Sequence, residues 1–566
     1  PKTLYLAGSS TAANAVGPVA EDESGVLSVV KEGTGTWGIC GGLTLTGEID
    51  VRGGTLVLDE ASAECLDGTQ TIRVAEGARV AFDFADAATV RCAITGDGTI
   101  VKRGRGTLTL SCPKTLPVSA AGTKYKDHFT TGGIIVEEGV LKLPQGEGVS
   151  GWYGPVEVRA GATLFTVSDG TTLVSSLSGD GLVTNVTEAA VGSDNCRTLM
   201  IGFYGDRFVS DFRGTIGGGI KILVGGNVTL SGPNSTFPGN VSVYLNNGRT
   251  VEDLGILRTA GLGMRNAPSP LGSGTKYMYD SDVTIDYGGK LVYVGAGGET
   301  TDRRFRFGDY YSYAKSAVDA GPTGGVTFVG EWYHVDNVGK TDPVYLRGSN
   351  VQEMVLANPI TTIGSKGGVL QFKKTGSGTW RLKEHAKREK TTGAWFVEEG
   401  TLRYDSIADI GENCAFGVAT GCYPFRQGTV AQVMSEENRL PYEIELGGAN
   451  ASALPTLEFS GSNVWSRTTD RRIGLVGAGG RLSVGADGMG AISGGAALAA
   501  TGTVEPILAD YGSRLNNAYG IAVHPETGAL YITNSPYGVN SDLYISHDGV
   551  SAVSHEAGVY ASKVVF

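Results

Sequence analysis

Long apolar runs are absent from this chain of 566 residues. No stretch of about 18 apolar residues occurs, so no helix is suited to cross a membrane. Charge is also sparse. Only 18% of residues are charged and the formal net charge is -12. That balance lacks the basic footprint that nucleic acid needs, and it disfavours an anionic membrane surface. Histidine is rare, at six, and none falls in a His-x-x-x-His or His-Glu-x-x-His pattern, which excludes a zincin. Seven cysteines are an odd set with no Cys-x-x-Cys pair, so a structural zinc site has little support. Helical apolar periodicity sustained over three turns is missing as well.

Glycine is abundant, with 88 residues, about double the usual share of ~7%. No Gly-X-Y period accompanies it, which excludes collagen. A hydrophobic content of 41% suffices for a real core. The sequence also repeats itself. TTGGIIVEEGVLKL (130–143) returns as TTGAWFVEEGTLRY (391–404), and TTDRR (300–304) returns at 468–472. Recurrence of this kind marks stacked repeats.

Two short motifs recur throughout. One is Gly-x-Gly-Thr before an alternating strand, starting at Gly33, Gly96, Gly104 and Gly376. The other is Val-x-x-Gly-x-Leu, starting at Val51, Val136 and Val397, with a longer variant from Val158 to Leu164. Each half fits a strand of about five residues with period-two alternation. Glycine supplies the positive φ of the corner, and Thr and Val suit a half-buried pleat. One such coil cannot bury its own apolar face, so coils must stack at a spacing of ~4.8 Å. At ~20–25 residues per coil the stack would reach roughly 100 Å. Cys40, Cys65, Cys92 and Cys112 recur at about that interval, as buried small side chains would. The expected fold is all-β: a right-handed parallel β-helix (β-solenoid) with a small C-terminal β module. Residues 1–30 form a capping segment, 31–505 the Gly/Thr-rich coils with loop excursions, and 506–566 the C-terminal module.

The segments KKTGSGTWRL (373–382), TTGAWFVEEGTL (391–402) and 457–473 resemble the autotransporter-associated β-strand repeat of bacterial secreted proteins. The resemblance covers about residues 30–500. It implies a β-helical passenger, extracellular or on the outer-membrane surface of a bacterium. It implies no catalytic residues, because that family has no shared chemistry. The ~250 residues of amphipathic strands that a transporter barrel needs do not follow. Residues 518–549, with a fourth strand at 562–566, resemble a single blade of surface β-propeller repeat proteins. One blade cannot close a ring of four to eight, so a terminal cap is expected. A first residue of proline rather than methionine suits a processed chain or a piece of a longer one.

The sharpest polar signal is the duplicated pentamer. Asp302, Arg303, Arg304, Asp470, Arg471 and Arg472 are the candidates for an enzyme, since β-helical polysaccharide lyases use Arg or Lys as a base. Duplication favours a structural turn instead, with Asp capping it and Arg lying over the coil. Tyr310, Tyr311, Tyr313, Trp332 and Tyr333 form an aromatic concentration that could stack on sugar rings or pack as a loop on the coils. Asp280 and Asp282 are carboxylates that could contribute to a Ca²⁺ site; no other cofactor is expected. Cys414 and Cys422 are close enough to clip one loop in an oxidising compartment.

The reading that follows is a non-enzymatic stalk or adhesin whose loops meet a glycan or a host or partner surface protein. A polysaccharide lyase or hydrolase and a binding subunit of an outer-membrane surface assembly are the alternatives. No two acidic residues sit at matched coil positions as a catalytic pair would.

Overall fold

The computed structural model describes residues 1–22, 25–66, 68–111, 132–143, 149–166, 171–185, 196–202, 209–244, 255–275, 281–286, 288–307, 316–336, 343–364, 371–385, 395–409, 412–417, 443–447, 454–461, 471, 473–484, 518–523, 530–534, 541–546 and 552–557. It contains two compact units, Pro1–Ala260 with Asn266–Asp280, and Gly261–Arg265 with Ser281–Phe566.

Each unit is a parallel β-helix. In the first, the strands Thr71–Val74, Arg79–Asp83 and Ala88–Val90 make the three sides of one coil, and Ala93–Thr95, Thr99–Arg103 and Thr107–Leu110 make the next. The second coil lies on the first in register: Ile72 pairs with Ile94, Val80 with Ile100 and Ala88 with Leu108. Stacking in register superposes like with like. Leu56, Val80, Ile100, Ile134 and Val156 form one continuous inward column, each essentially without solvent exposure. Alternate residues of these strands point outward, as the pleat requires.

The corners explain both recurrent motifs. Gly-x-Gly-Thr turns one side into the next, and Val-x-x-Gly-x-Leu turns the same corner one coil later. Three of the Gly-x-Gly-Thr motifs, those at Gly33, Gly104 and Gly376, are preceded, two residues before the first glycine, by a lysine: Lys31, Lys102 and Lys374. Each lysine points inward, in register with Val51, Val136 and Val397 of the following motif, and each is at most 1% exposed. The Nζ of Lys31 donates to Glu32 O (2.9 Å), Gly33 O (3.1 Å) and Gly53 O (2.9 Å). Lys102 donates to Arg103 O, Gly104 O (2.5 Å) and Glu138 O (3.3 Å). Lys374 donates to Thr375 O (3.1 Å), Gly376 O (2.6 Å) and Glu399 O (3.0 Å).

An ammonium has three N–H donors and no acceptor, so three carbonyls satisfy it. Two come from its own corner and one from the next coil, which ties the coils together. The stacked corner also demands glycine in the second motif. Gly54 and Gly400 have φ of +64° and +65°, and a Cβ there would lie 2.2 and 2.3 Å from the carbonyl oxygens of Gly35 and Gly376 below, with the lysine Nζ 2.8 and 2.7 Å away. Burial pushes all three ammonium groups below their ordinary pKa, Lys374 to about 8.

A second cross-coil device runs along the outside of the first unit. Asp83, Arg103, Glu137, Arg159, Asp180 and Arg213 occupy equivalent places on six successive coils, with charge alternating at every step. Arg103 Nε lies 2.9 Å from Glu137, Arg159 Nη1 2.8 Å from the same carboxylate, and Arg213 Nε 3.2 Å from Asp180. Parallel in-register stacking would set like charges one strand spacing apart, and alternation removes that repulsion. Glu137→Arg places three cations in a row. It is expected to lower the unfolding free energy by about 1–2 kcal/mol, read from the denaturant midpoint, with Arg103→Glu restoring part of the loss.

The second unit has the same architecture with a different filling. Its coils include Val283–Asp286, Lys290–Tyr293 and Glu299–Thr301, then Phe305–Phe307, Ala317–Asp319 and Val326–Phe328, then Trp332–Asp336, Pro343–Arg347 and Met354–Leu356. Aromatic rings replace the aliphatic columns. Trp332 packs against Phe307 (5.1 Å between centroids), Phe328 (5.0 Å) and Phe305 (5.4 Å), and further coils add Phe372 stacked on Trp395 at 4.3 Å. Near the C-terminus, Ala518–Val523, Leu530–Asn534, Ser541–Ser546 and Ala552–Ala557 form a four-stranded antiparallel sheet. Its fourth strand is Ala552–Ala557; residues 562–566, expected to supply it, lie outside the described residues.

Candidate functional site

The first pentamer runs from the end of Glu299–Thr301 through the corner that leads into Phe305–Phe307 in the second unit. There it clamps the segment Gly261–Arg265. Glu299 Oε1 accepts from Leu262 N (2.8 Å) and from Gly263 N, Thr301 Oγ1 donates to Gly263 O (2.7 Å), and Asp302 Oδ1 accepts from Arg265 N (2.6 Å). Arg303 is fully buried and its Nε donates to Leu262 O. Desolvation lowers the Arg303 pKa to about 10, opposed chiefly by the charge of Asp282. Arg304 N donates to Asp282 Oδ2 (2.8 Å), and the same oxygen sits 3.1 Å from Arg265 Nε and 3.9 Å from Arg304 Nε.

In the second copy only Arg471 is described; Asp470 and Arg472 lie outside the described residues. Arg471 is the counterpart of Arg303 and does the same work. It is 5% exposed, and its guanidinium donates to Ala408 O (2.8 Å), Glu412 O (3.4 Å) and Gly417 O. Both pentamers lead directly into a strand of the same sheet, Phe305–Phe307 and Ile473–Leu475. The shared chemistry is thus a buried arginine that fastens an earlier excursion of the chain through its carbonyls. A guanidinium engaged in this way cannot approach a substrate.

The remaining candidates are dispersed. Trp332 has no exposed surface, so its indole belongs to the core rather than to a sugar platform, and Tyr333 is 5% exposed. The physical reason is register: Trp332 pairs with Phe305 on one side and Ile360 on the other, within an inward column. Tyr310, Tyr311 and Tyr313 lie outside the described residues, as does Asp280. Asp282 is 1% exposed and faces two arginines, so its Oδ2 is occupied by cations of the chain itself. Among the described residues, no three His, Cys, Asp or Glu side chains converge as metal ligands would. Cys414 is buried, its Sγ 3.6 Å from Gly417 O, and Cys422 lies outside the described residues.

Sequence reasoning missed the three buried lysines. Their signal was present in Lys-x-Gly-x-Gly-Thr, but a lysine reads as a surface residue until its acceptors are known.

The class defined by these features is a three-sided parallel β-helix whose recurrent motifs are corner and cross-coil ties. The chain is 27% identical over 318 residues, 55% of its length, to the adhesin BmaC autotransporter of Brucella suis biovar 1 (strain 1330). The matched region spans only 8% of that much longer protein. No family model matches the chain, and no solved structure matches it.

Proposed function

We propose that the chain is part of a bacterial surface passenger, a rigid β-helical stalk that displays loops for adhesion. The observation that carries this reading is the similarity to an autotransporter adhesin. The chemistry of the coils supports it: Lys31, Lys102, Lys374, Arg303 and Arg471 each donate to backbone carbonyls within the fold. A β-helix built in this way is a spacer, and its loops and outer faces are what a partner meets. Its place would be the extracellular side or the outer-membrane surface, and its partner a glycan or a surface protein.

The test is adhesion of beads coated with the purified chain to cultured epithelial cells and to extracellular matrix. Coated beads should bind at least several-fold above albumin-coated beads, and free chain should compete. Binding no better than albumin on every surface contradicts the reading. So does release of shortened or unsaturated products from a polysaccharide panel.

A further inference from the structure

Corners of the second unit border an open, shallow groove of about 580 Å³ that crosses four successive coils. Asp319, Arg347, Thr375 and Glu399 enter it from those four coils in turn, and the hydroxyls of Ser349 and Ser377 lie between them. Asp319, Arg347, Thr375 and Glu399 bring polar groups to it, and Pro322 and the glycine backbone bring apolar surface on which the face of a sugar ring can lie.

The charges within it are incompletely used. Asp319 and Arg347 are register partners on adjacent strands, yet no ion pair joins them. Asp319 Oδ1 instead accepts from Gly321 N (2.7 Å), and Glu399 Oε2 accepts from Gly376 N (2.8 Å). Each carboxylate therefore keeps its other oxygen for a ligand hydroxyl. The Arg347 guanidinium stacks over the Tyr345 ring at 4.9 Å, and its Nε is shielded from solvent without a hydrogen-bond partner among the described residues. With Nε turned away from solvent, the two Nη groups are the donors left to a ligand, and an arginine without a carboxylate can receive one bidentately through their parallel N–H bonds. The floor is held from below, because Lys374 binds the carbonyls of Thr375, Gly376 and Glu399.

We propose that this groove binds an acidic oligosaccharide, with Arg347 receiving a uronate or sialate carboxylate and Asp319, Glu399 and the three hydroxyls receiving sugar hydroxyls. The inference rests on the adhesive reading and names the ligand class for it. An extended glycan laid along the coils meets one set of groups per coil, which is how a stacked surface reads a linear polymer.

Isothermal calorimetry on the purified chain tests it, using a galacturonic acid tetramer, a hyaluronan tetrasaccharide and a sialylated trisaccharide. Maltotetraose and tetraglutamate serve as neutral and peptide controls. At least one acidic sugar should bind at least tenfold more tightly than either control. Arg347→Gln should weaken that binding at least tenfold, and Arg347→Lys should weaken it less. Arg381→Gln, on another face and paired with Glu353, should leave it unchanged, with every variant's thermal melt recorded to confirm folding. Three outcomes overturn the proposal: no binding of any acidic sugar at millimolar concentration, equal affinity for a control, or full affinity in a folded Arg347→Gln chain. Bead adhesion by the unaltered chain is scored separately, so an empty groove on an adhesive chain is told apart from a chain that does not adhere.

Discussion

Trp332→Ala should cost about 3–5 kcal/mol of unfolding free energy, near the top of what one substitution does. Trp332 is fully buried and its ring touches Phe305, Phe307 and Phe328 at centroid distances of 5.0 to 5.4 Å. Truncation removes the packing partner of three rings of the preceding coil at once, and in-register stacks relax poorly into a hole because each coil is held by both neighbours. The indole Nε1 has no hydrogen-bond partner among the described residues, so Trp332→Phe should recover most of the loss. Denaturant unfolding of both variants measures this. A loss under about 1 kcal/mol for Trp332→Ala would mean that the ring is not in the core.

Lys374→Met should cost about 3 kcal/mol, because the carbonyls of Thr375, Gly376 and Glu399 would each lose a charged donor inside the fold. The methionine fills the volume of the aliphatic stem, so the loss reports the ammonium rather than a cavity. The pH dependence has a definite sign. The folded-state pKa of Lys374 is lowered to about 8 from an ordinary 10.5 by burial. Between those values the unfolded chain carries the proton and the folded chain does not, so stability from this group rises with pH across about 8 to 10.5. Lys374→Met lacks that rise, so the stability gap to the unaltered chain should widen through the same window. A gap that narrows there would contradict the assignment of the depressed group.

Much of the fold was legible because its strongest demands are local. A corner that needs positive φ demands glycine, and Gly33, Gly104, Gly139, Gly376 and Gly400 all adopt φ between +65° and +75°. The period-two alternation of TLTL at Thr107–Leu110 and TWRL at Thr379–Leu382 reads directly as one face in and one out. Which corners stack on which was not legible. Lys31, Lys102 and Lys374 reach carbonyls 22, 36 and 25 residues further on, because excursions of unequal length interrupt the coils. No fixed period announces the partnership.

The same irregularity hid the role of the aromatic concentration. Phe305 and Phe307 alternate around an outward Arg306, which is visible in the sequence, but Phe328 and Trp332 join them only through coil stacking. The duplicated pentamer was legible as a turn. Its arginine's task was not, since Leu262 and Ala408 lie 41 and 63 residues before the arginines that hold them. The corner groove left no sequence signal, because its groups come one or two at a time from four coils.

The most direct test of the central claim, that the recurrent motif is a lysine-tied corner, compares four methionine variants by denaturant unfolding. Lys31, Lys102 and Lys374 lie inside corners, while Lys373, next in sequence to the last, points outward to Glu398 at 2.6 Å. The account predicts losses of about 2–3 kcal/mol for each of the three inward lysines and under about 1 kcal/mol for Lys373→Met. Equal losses at Lys373 and Lys374, or none at the three corners, would contradict it.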